Sequence, residues 1–210
     1  FLVLDSAAMA GAALFIGVSI VLPFILLARL LLVTGGSAFF SDVSCGLMGR
    51  SRGGSAKIAI VASGFFGSIS GSAVSNVAST GTITIPLMKD GGYRPTTAAA
   101  IEATASTGGQ LMPPIMGAAA FLLAETLQVP YREVVVAALI PALLYYLSLF
   151  FFADLEAGRR GIAPVDPDKI PPLGGTLRRG WYILVPFAVL VIALFEYNQP
   201  PEAAALVAFT

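Results

Sequence analysis

The chain has 210 residues, of which 57% are hydrophobic and only 11% are charged, and its mean hydropathy is +0.86. Soluble domains are roughly 45–50% apolar and about 25% charged, so this composition indicates an integral membrane protein. Twelve Lys and Arg balance twelve Asp and Glu, so no basic field indicates a nucleic-acid partner. One cysteine and no histidine exclude an intrachain disulfide, a Cys-rich metal site and the usual zinc ligands.

The first predicted element is a membrane-spanning helix at residues 7–33, with Arg29 close enough to one end for its side chain to snorkel. An amphipathic segment follows at residues 37–54, where apolar residues recur at roughly helical spacing, which predicts a helix lying in the membrane interface. The chain begins with Phe1 and ends at Thr210 inside an apolar run. We therefore expect a fragment of a longer polypeptide.

Residues 58–88 contain no charged side chain, and this run is longer than the roughly 20 residues that cross a bilayer core. If the run crosses once, the basic residues on its two flanks lie on opposite sides of the membrane. If it returns as a re-entrant hairpin, they share one side. With further spans at 96–127 and 134–153, the hairpin leaves Arg132 alone on the far side. Ten loop cations then share the near side: Arg50, Arg52, Lys57, Lys89, Arg94, Arg159, Arg160, Lys169, Arg178 and Arg179.

The positive-inside rule favours the hairpin interpretation, and it makes the face with ten cations cytoplasmic. The remaining elements are a polar loop at 154–179, a span at 181–195 with aromatic anchors at its start, and the beginning of another span after Pro201.

The tip of the predicted hairpin is "GSISGSAVSNVASTG", residues 67–81. Non-helical backbone at membrane depth is tolerated only where it packs in protein or lines a wet cavity. The next span is interrupted in the same way by "STGGQLMPPI", residues 106–115, because its two prolines forbid a regular helix there. Two broken elements near the midplane are typical of transporters, since free helix N-termini attract anions and unwound carbonyls suit Na⁺.

Simpler interpretations of both interruptions stay open. Gly67 and Gly71 have the spacing of a small-residue helix contact, and the prolines alone can kink a helix. Two intramembrane carboxylates are also candidates for function. Glu125 lies near a span end, where we expect a solvated carboxylate. Glu102 lies near the cytoplasmic start of its span, where we expect it to cap the helix or to pair with Lys89 or Arg94.

Two stretches, "GFFGSISGSAVSNVASTGTITIPLMKDGGYRP" and "AAAIEATASTGGQLMPPIMGAAAFLLAE", carry a family resemblance. They resemble the large membrane subunit of the tripartite ATP-independent periplasmic (TRAP) transporters, most closely the form in which small and large membrane subunits are fused. The resemblance extends over roughly residues 20–160. Its motifs are Ser-Gly-Ser at the tip, "IPLMK" followed by "GYRP", and Gly-Gly-x-x-x-Pro-Pro.

The resemblance implies an all-α permease with two inverted repeats and an elevator-type transport domain in the cytoplasmic membrane of a bacterium or archaeon. Sodium would be the coupling ion, without another cofactor, and the substrate would be an organic acid such as a dicarboxylate. A periplasmic substrate-binding protein and a small or fused membrane subunit would be the partners. The chain would supply the first repeat and the start of the second. The parts are a span and interfacial helix (1–53), the hairpin and broken helix (54–128), a span and loop (129–180), and the start of the second repeat (181–210).

Carried over to this sequence, the resemblance assigns the sodium and substrate site to the tip and to the break. The tip residues are Ser70, Gly71, Ser72 and Asn76, and the facing residues are Thr107, Gly108 and Gly109. Sodium would bind Ser70, Ser72, Asn76 and Gly108, while Pro113 and Pro114 hold the break open.

No Arg or Lys lies at either interruption, so a substrate carboxylate needs a charge partner from elsewhere. Two other functions stay open: a sodium-coupled carboxylate carrier that works without a binding protein, and a non-transporting membrane scaffold. A membrane-embedded hydrolase is disfavoured because no Ser-Lys or paired-Asp arrangement falls on one helix face of the spans. We therefore expect no enzymatic activity.

Overall fold

The computed structural model of the protein describes residues 11–197 and 199–209. Within these residues the protein is helical and contains no strand, which confirms the all-α prediction. The α-helices are α1 (Ala12–Ile16), α2 (Leu22–Val33), α3 (Gly36–Met48), α4 (Gly54–Ser70), α5 (Ala73–Asp90), α6 (Pro95–Gly108), α7 (Ala118–Leu127), α8 (Tyr131–Arg160), α9 (Leu173–Phe195) and α10 (Pro201–Phe209). A π-helical turn, Gly17–Val21, joins α1 to α2, and a 3₁₀ turn, Pro167–Lys169, precedes α9.

Three helical segments of the described chain are long and apolar enough to cross a membrane: Leu14–Val33, Tyr131–Arg160 and Pro167–Phe195. They coincide with the predicted spans at 7–33, 134–153 and 181–195, although residues 7–10 lie outside the described part. The predicted span at 96–127 is absent from this set because it is divided into α6 and α7, each too short to cross alone.

The predicted polar loop at 154–179 is wrong in extent, because most of it is helical. The last turns of α8 continue through its charged residues, where Arg160 forms an ion pair with Glu156 one turn earlier. Gly161 then stops the helix by adopting the left-handed conformation, with φ of 66°. Since α9 already begins at Leu173, only residues 161–172 connect the two helices.

α4 and α5 form a helical hairpin whose tip is much shorter than predicted. The prediction of non-helical backbone over 67–81 is wrong, since only Gly71 and Ser72 leave the helices. Gly71 ends α4 at φ of 59°, and the Ser72 hydroxyl accepts the backbone N–H of Ser75 at 3.3 Å to cap α5. The residues that follow stay helical, and Ser79 donates its hydroxyl back to the carbonyl of Ser75 at 2.6 Å, one turn earlier.

The base of the hairpin packs against the C-terminal end of α8. Lys57 at the start of α4 is only 5% exposed, and its ammonium lies 2.6 Å from the carboxylate of Asp154, which also pairs with Arg52. Tyr93, in the turn after α5, donates its hydroxyl to the carbonyl of Ala153 at 3.2 Å. Burial, with Glu156 and Asp154 nearby, raises the pKa of Tyr93 to about 12, so this hydroxyl remains a donor.

The helix α3 has the predicted amphipathic pattern, but its apolar face is covered by protein. Phe39, Phe40 and Val43 are buried in the core, against α4 and α9. The fit against α9 is close, since a Cβ atom placed on Gly180 would lie 2.2 Å from the ring of Phe39. This packing holds α2, the hairpin and α9 together on one side of the molecule.

Candidate functional site

The tip of the hairpin lies directly against the break between α6 and α7. The carbonyl of Ser68 accepts the backbone N–H of Ile115 at 3.2 Å. A Cβ atom placed on Gly71 would lie 1.9 Å from the carbonyl oxygen of Met116. The two interruptions of helical structure therefore share one location, as the sequence predicted, and only glycine allows so close an approach at the tip.

Asn76 and Gly109 are the two predicted site residues that this contact brings together. Asn76 is fully buried, and its side-chain amide donates to the carbonyl of Ser63 at 2.8 Å. A Cβ atom on Gly109 would lie 3.1 Å from that amide nitrogen, and one on Gly67 would lie 2.5 Å from the Cα of Gly109. The side chain of Asn76 thus occupies the seam between the hairpin and the break.

Ser70 and Ser72 lie on the other side of the tip, where they line a cavity of about 710 Å³ between α2 and α5. The hydroxyl of Ser70 is buried and has no hydrogen-bond partner in the described chain. Since a buried hydroxyl without a partner is costly, this position is suited to an additional ligand. Ser72 is already engaged, because it caps α5.

Thr107 and Gly108 precede the break but do not face Ser70 or Ser72. Thr107 is exposed and donates its hydroxyl to the carbonyl of Ala103 at 2.8 Å. Gly108 packs on α8, where a Cβ atom would lie 2.5 Å from the ring of Tyr145. Their predicted role as partners of the tip therefore has no direct contact to support it.

Pro113 and Pro114 lie in the middle of the irregular segment 109–117, where α6 has ended and α7 has not begun. The hydroxyl of Tyr131, the first residue of α8, donates to the carbonyl of Pro114 at 3.0 Å and also to that of Ile115. The single proton of this hydroxyl is thus placed between two carbonyls that the interrupted helix leaves unpaired.

Glu102 occupies a site that the sequence analysis did not predict. Its expected pairing with Lys89 or Arg94 is wrong, because its side chain is fully buried and accepts hydrogen bonds from hydroxyls of three helices. The donors are Thr80 at 2.6 Å, Thr84 at 2.6 Å, Ser63 at 3.1 Å and Ser106 at 3.2 Å. We call these four hydroxyls and the carboxylate the Glu102 cluster.

The Glu102 cluster joins α4, α5 and α6, and Thr80 connects it to Asn76 at the tip seam. The Thr80 hydroxyl lies 2.9 Å from the backbone carbonyl of Asn76 and 3.2 Å from its side-chain oxygen. A buried carboxylate is tolerated only when its oxygens are satisfied, and here neutral donors satisfy them without a cation. The cluster thus fixes the hairpin on α6 at the depth where tip and break meet.

Sequence patterns contain part of this cluster. Thr80 and Thr84 are one helical turn apart, as are Glu102 and Ser106, so helical spacing places each pair on one helix face. That the two faces meet is decided by the tertiary structure. Glu125, by contrast, is exposed on α7, as expected for a solvated carboxylate.

Cation ligands at this site would be hydroxyl and carbonyl oxygens. Among the residues that the structure describes, no group of three or more His, Cys, Asp or Glu side chains is placed to hold a metal ion. Oxygen ligands of this kind suit hard cations.

Comparison with known proteins finds relatives that match most of this chain. An uncharacterized protein, y4mL, of Sinorhizobium fredii (strain NBRC 101917 / NGR234) is 30% identical over 188 residues, which cover 88% of this chain and 44% of that protein. The C4-dicarboxylate TRAP transporter large permease protein DctM of Pseudomonas aeruginosa is 28% identical over 188 residues, with 89% and 44% covered. The isethionate TRAP transporter permease protein DctMQ of Oleidesulfovibrio alaskensis is 29% identical over 191 residues, with 90% and 30% covered.

The chain spans less than half the length of each of these relatives. The family described as "Tripartite ATP-independent periplasmic transporter, DctM component" matches residues 3–210, nearly the whole chain. Together with the hairpin, the broken helix and the three apolar spans, this match shows that the chain belongs to the DctM component family of the TRAP transporters.

Proposed function

We propose that the chain forms the first repeat of a membrane permease that imports organic acids by sodium-coupled, binding-protein-dependent transport. The observation that carries the proposal is the contact between the hairpin tip and the break in α6–α7, beside the unpartnered hydroxyl of Ser70. Interrupted helices that meet in this way present carbonyl and hydroxyl oxygens to a cation. Membership of the TRAP permease family supports a role in transport rather than catalysis.

Sodium coupling is supported by the oxygens near the tip. Ser70 offers a free hydroxyl, and the irregular segment 109–117 offers carbonyls that no continuing helix uses. Na⁺ is a hard cation that prefers such neutral oxygen ligands. Of the predicted ligands, Asn76 donates its side-chain amide to Ser63, so we propose its side-chain oxygen, which lies 3.2 Å from the Thr80 hydroxyl, as the ion ligand.

The hairpin fits a re-entrant element. α4 and α5 contain 17 and 18 residues, hence about 25–27 Å each, which is shorter than the roughly 30 Å hydrocarbon core. The open end of the hairpin, which carries Arg52 and Lys57, lies beside the C-terminal end of α8, while Arg132 lies at the opposite end of that helix. We therefore place the base at the cytoplasmic side of the cytoplasmic membrane and the tip inside the bilayer.

The substrate and partners follow from the relatives. The two named relatives transport a C4-dicarboxylate and isethionate, both of which are small organic acids. We propose a substrate of this class, delivered by a periplasmic substrate-binding protein to a permease that also contains a small or fused membrane subunit. A sodium-coupled carboxylate carrier that needs no binding protein is the alternative that the same geometry allows.

The test is uptake of a panel of labelled organic acids by the complete transporter in proteoliposomes, with and without a sodium gradient and a binding protein. Ser70→Ala is the informative variant, because it removes an oxygen without breaking a hydrogen bond. We expect it to raise the sodium concentration at half-maximal uptake by about tenfold, the loss of roughly 1.4 kcal/mol of binding. Ser55→Ala is the matched control, since this hydroxyl is also buried and has no hydrogen-bond partner in the described chain, but lies at the base of α4.

Each outcome separates the candidates. Uptake that needs both sodium and the binding protein supports the proposal. Sodium-driven uptake without the binding protein supports the stand-alone carrier. Folded transporter that takes up none of the acids would favour the membrane scaffold, and equal sodium dependence of the Ser70 and Ser55 variants would remove Ser70 from the ion site.

A further inference from the structure

Helix α5 carries two separate polar faces. Asn76, Thr80 and Thr84 are four residues apart, so they lie on one face, which points to the Glu102 cluster. A second row, Ser72, Ser75 and Ser79, lines the cavity on the α2 side. The Glu102 cluster accounts for the first face, whereas the hydroxyl of Ser75 forms no hydrogen bond with another side chain in the part of the chain that the structure describes.

The cavity in front of this second row is lined by a cationic side chain, that of Arg29. Arg29 of α2 lines the same cavity as Ser70, Ser72, Ser75 and Ser79. It is exposed, and it forms no ion pair with any residue that the structure describes. None of the described residues that line the cavity is acidic. Arg29 therefore contributes a positive potential that no carboxylate of the described lining neutralises.

Two further features of the cavity favour an anion. Its floor is the N-terminus of α5, an 18-residue helix whose dipole attracts negative charge at that end. Beside it lies Ser70, which is only 8% exposed and whose hydroxyl lacks a partner in the described chain. That hydroxyl can donate its proton to an anion while its lone pair remains available to a cation.

We propose that the cavity between α2 and the hairpin tip binds the anionic group of the transported acid, and that the guanidinium of Arg29 is its charge partner. The ligand class is a carboxylate or a sulfonate, which a guanidinium binds through two parallel hydrogen bonds. The site deepens the proposed function and rests on it. Neither helix interruption contains a cationic side chain, and Arg29 of α2 supplies this charge partner from a different helix.

The dimensions agree with a small ligand. A volume of about 710 Å³ lies within the roughly 300–1,000 Å³ of typical small-molecule sites. Apolar side chains of α2, among them Ile25 and Leu32, line the rest of the cavity and would contact the hydrocarbon part of an acid. A single cation suits one acidic group, so a second acidic group of a dicarboxylate would need a partner outside this cavity.

The first experiment measures the charge preference of the cavity without transport. In the complete transporter with Cys45→Ser, the variant Ser75→Cys is treated with an anionic sulfonatoethyl and a cationic trimethylammonioethyl methanethiosulfonate. The rate of the anionic reagent divided by that of the cationic reagent reports the local electrostatic potential. We expect Arg29→Gln to lower this ratio by about tenfold, because one nearby charge in a partly desolvated site is removed. Arg29→Lys should retain most of the ratio, and the control Arg132→Gln should leave it unchanged.

The second experiment tests the ligand. Succinate should slow the modification of Ser75→Cys, and its neutral diamide, succinamide, should not. With Arg29→Gln, the succinate concentration that gives half-maximal protection should rise by about tenfold. An inert Ser75→Cys, a rate ratio that does not change with Arg29→Gln, or equal protection by succinamide would each overturn the proposal.

Failure of this proposal and failure of the proposed function are distinguishable, since labelling requires neither sodium nor a binding protein. If the Arg29-dependent ratio and the succinate protection are found but uptake is absent, the anion site stands and the transport assignment fails. If uptake requires sodium and the binding protein but Arg29→Gln transports as well as the parent, the transport assignment stands and the anion site fails.

Discussion

Replacement of Glu102 by alanine provides the most direct test of the buried cluster. The substitution removes the acceptor of four hydroxyls, but three of them have another acceptor nearby. Thr80 can donate to the carbonyl of Asn76 at 2.9 Å, Thr84 to the carbonyl of Thr80 at 3.0 Å, and Ser63 to the hydroxyl of Thr80 at 3.2 Å. Among the four hydroxyls, that of Ser106 has no second acceptor in the described chain.

The magnitude follows from these contacts. One buried hydroxyl left unpaired costs about 1–3 kcal/mol, and a cavity in place of a large buried side chain typically costs about 2–5 kcal/mol. Against this, the folded state no longer holds a desolvated carboxylate, which recovers several kcal/mol. We expect Glu102→Ala to destabilise the protein by about 2–4 kcal/mol. Glu102→Gln keeps the shape and one acceptor oxygen, so we expect a loss of at most about 1 kcal/mol.

The assay is thermal unfolding of the complete transporter in detergent at one fixed scan rate, because membrane proteins commonly unfold irreversibly. Glu125→Ala is the control, since this carboxylate is exposed on α7 and its loss should change stability by less than about 0.5 kcal/mol. Adding Ser106→Ala to Glu102→Ala removes the unpaired hydroxyl, so the double variant should be no less stable than Glu102→Ala alone. Parent-like stability of Glu102→Ala, or equal damage by alanine and glutamine, would refute this account.

Two glycine substitutions test the close approaches around the site. Gly71→Ala should destabilise the protein by about 3 kcal/mol or more, because φ is 59° and the new methyl would lie 1.9 Å from the carbonyl oxygen of Met116. Gly108→Ala should cost about 1–3 kcal/mol by displacing the Tyr145 ring, whose nearest atom would be 2.5 Å away. Thermal unfolding of the same preparation measures both, and Gly174→Ala, with open space around it, should remain within about 1 kcal/mol of the parent.

The order of the three glycine variants is the decisive result. The Gly71 substitution meets backbone, which cannot move away without opening the contact between tip and break, whereas the Gly108 substitution meets a side chain that can rotate. If alanine at position 71 were tolerated as well as alanine at position 174, the hairpin tip would not pack on the break as described here.

The sequence by itself determines the membrane class and the two points at which helical structure is interrupted, because each depends on local properties of the chain. Composition and the uncharged run 58–88 follow directly from the residues. Gly71 permits a left-handed turn, and Pro113 and Pro114 forbid a regular helix wherever they occur. The tip is shorter than the sequence predicts, because polar residues such as Ser79 and Thr82 lie within α5 and donate their hydroxyls to carbonyls of the same helix.

Only the tertiary structure decides which polar groups meet. Glu102 bonds Ser63 and Thr84, which are 39 and 18 residues away, and this partnership depends on how α4, α5 and α6 are rotated about their axes. Arg29, assigned from its position to a span end, lines a cavity with serines of α5 more than forty residues later in the chain. Helix packing decides such contacts between distant residues. The free energy of packing is summed over many side chains, so no short sequence motif predicts it.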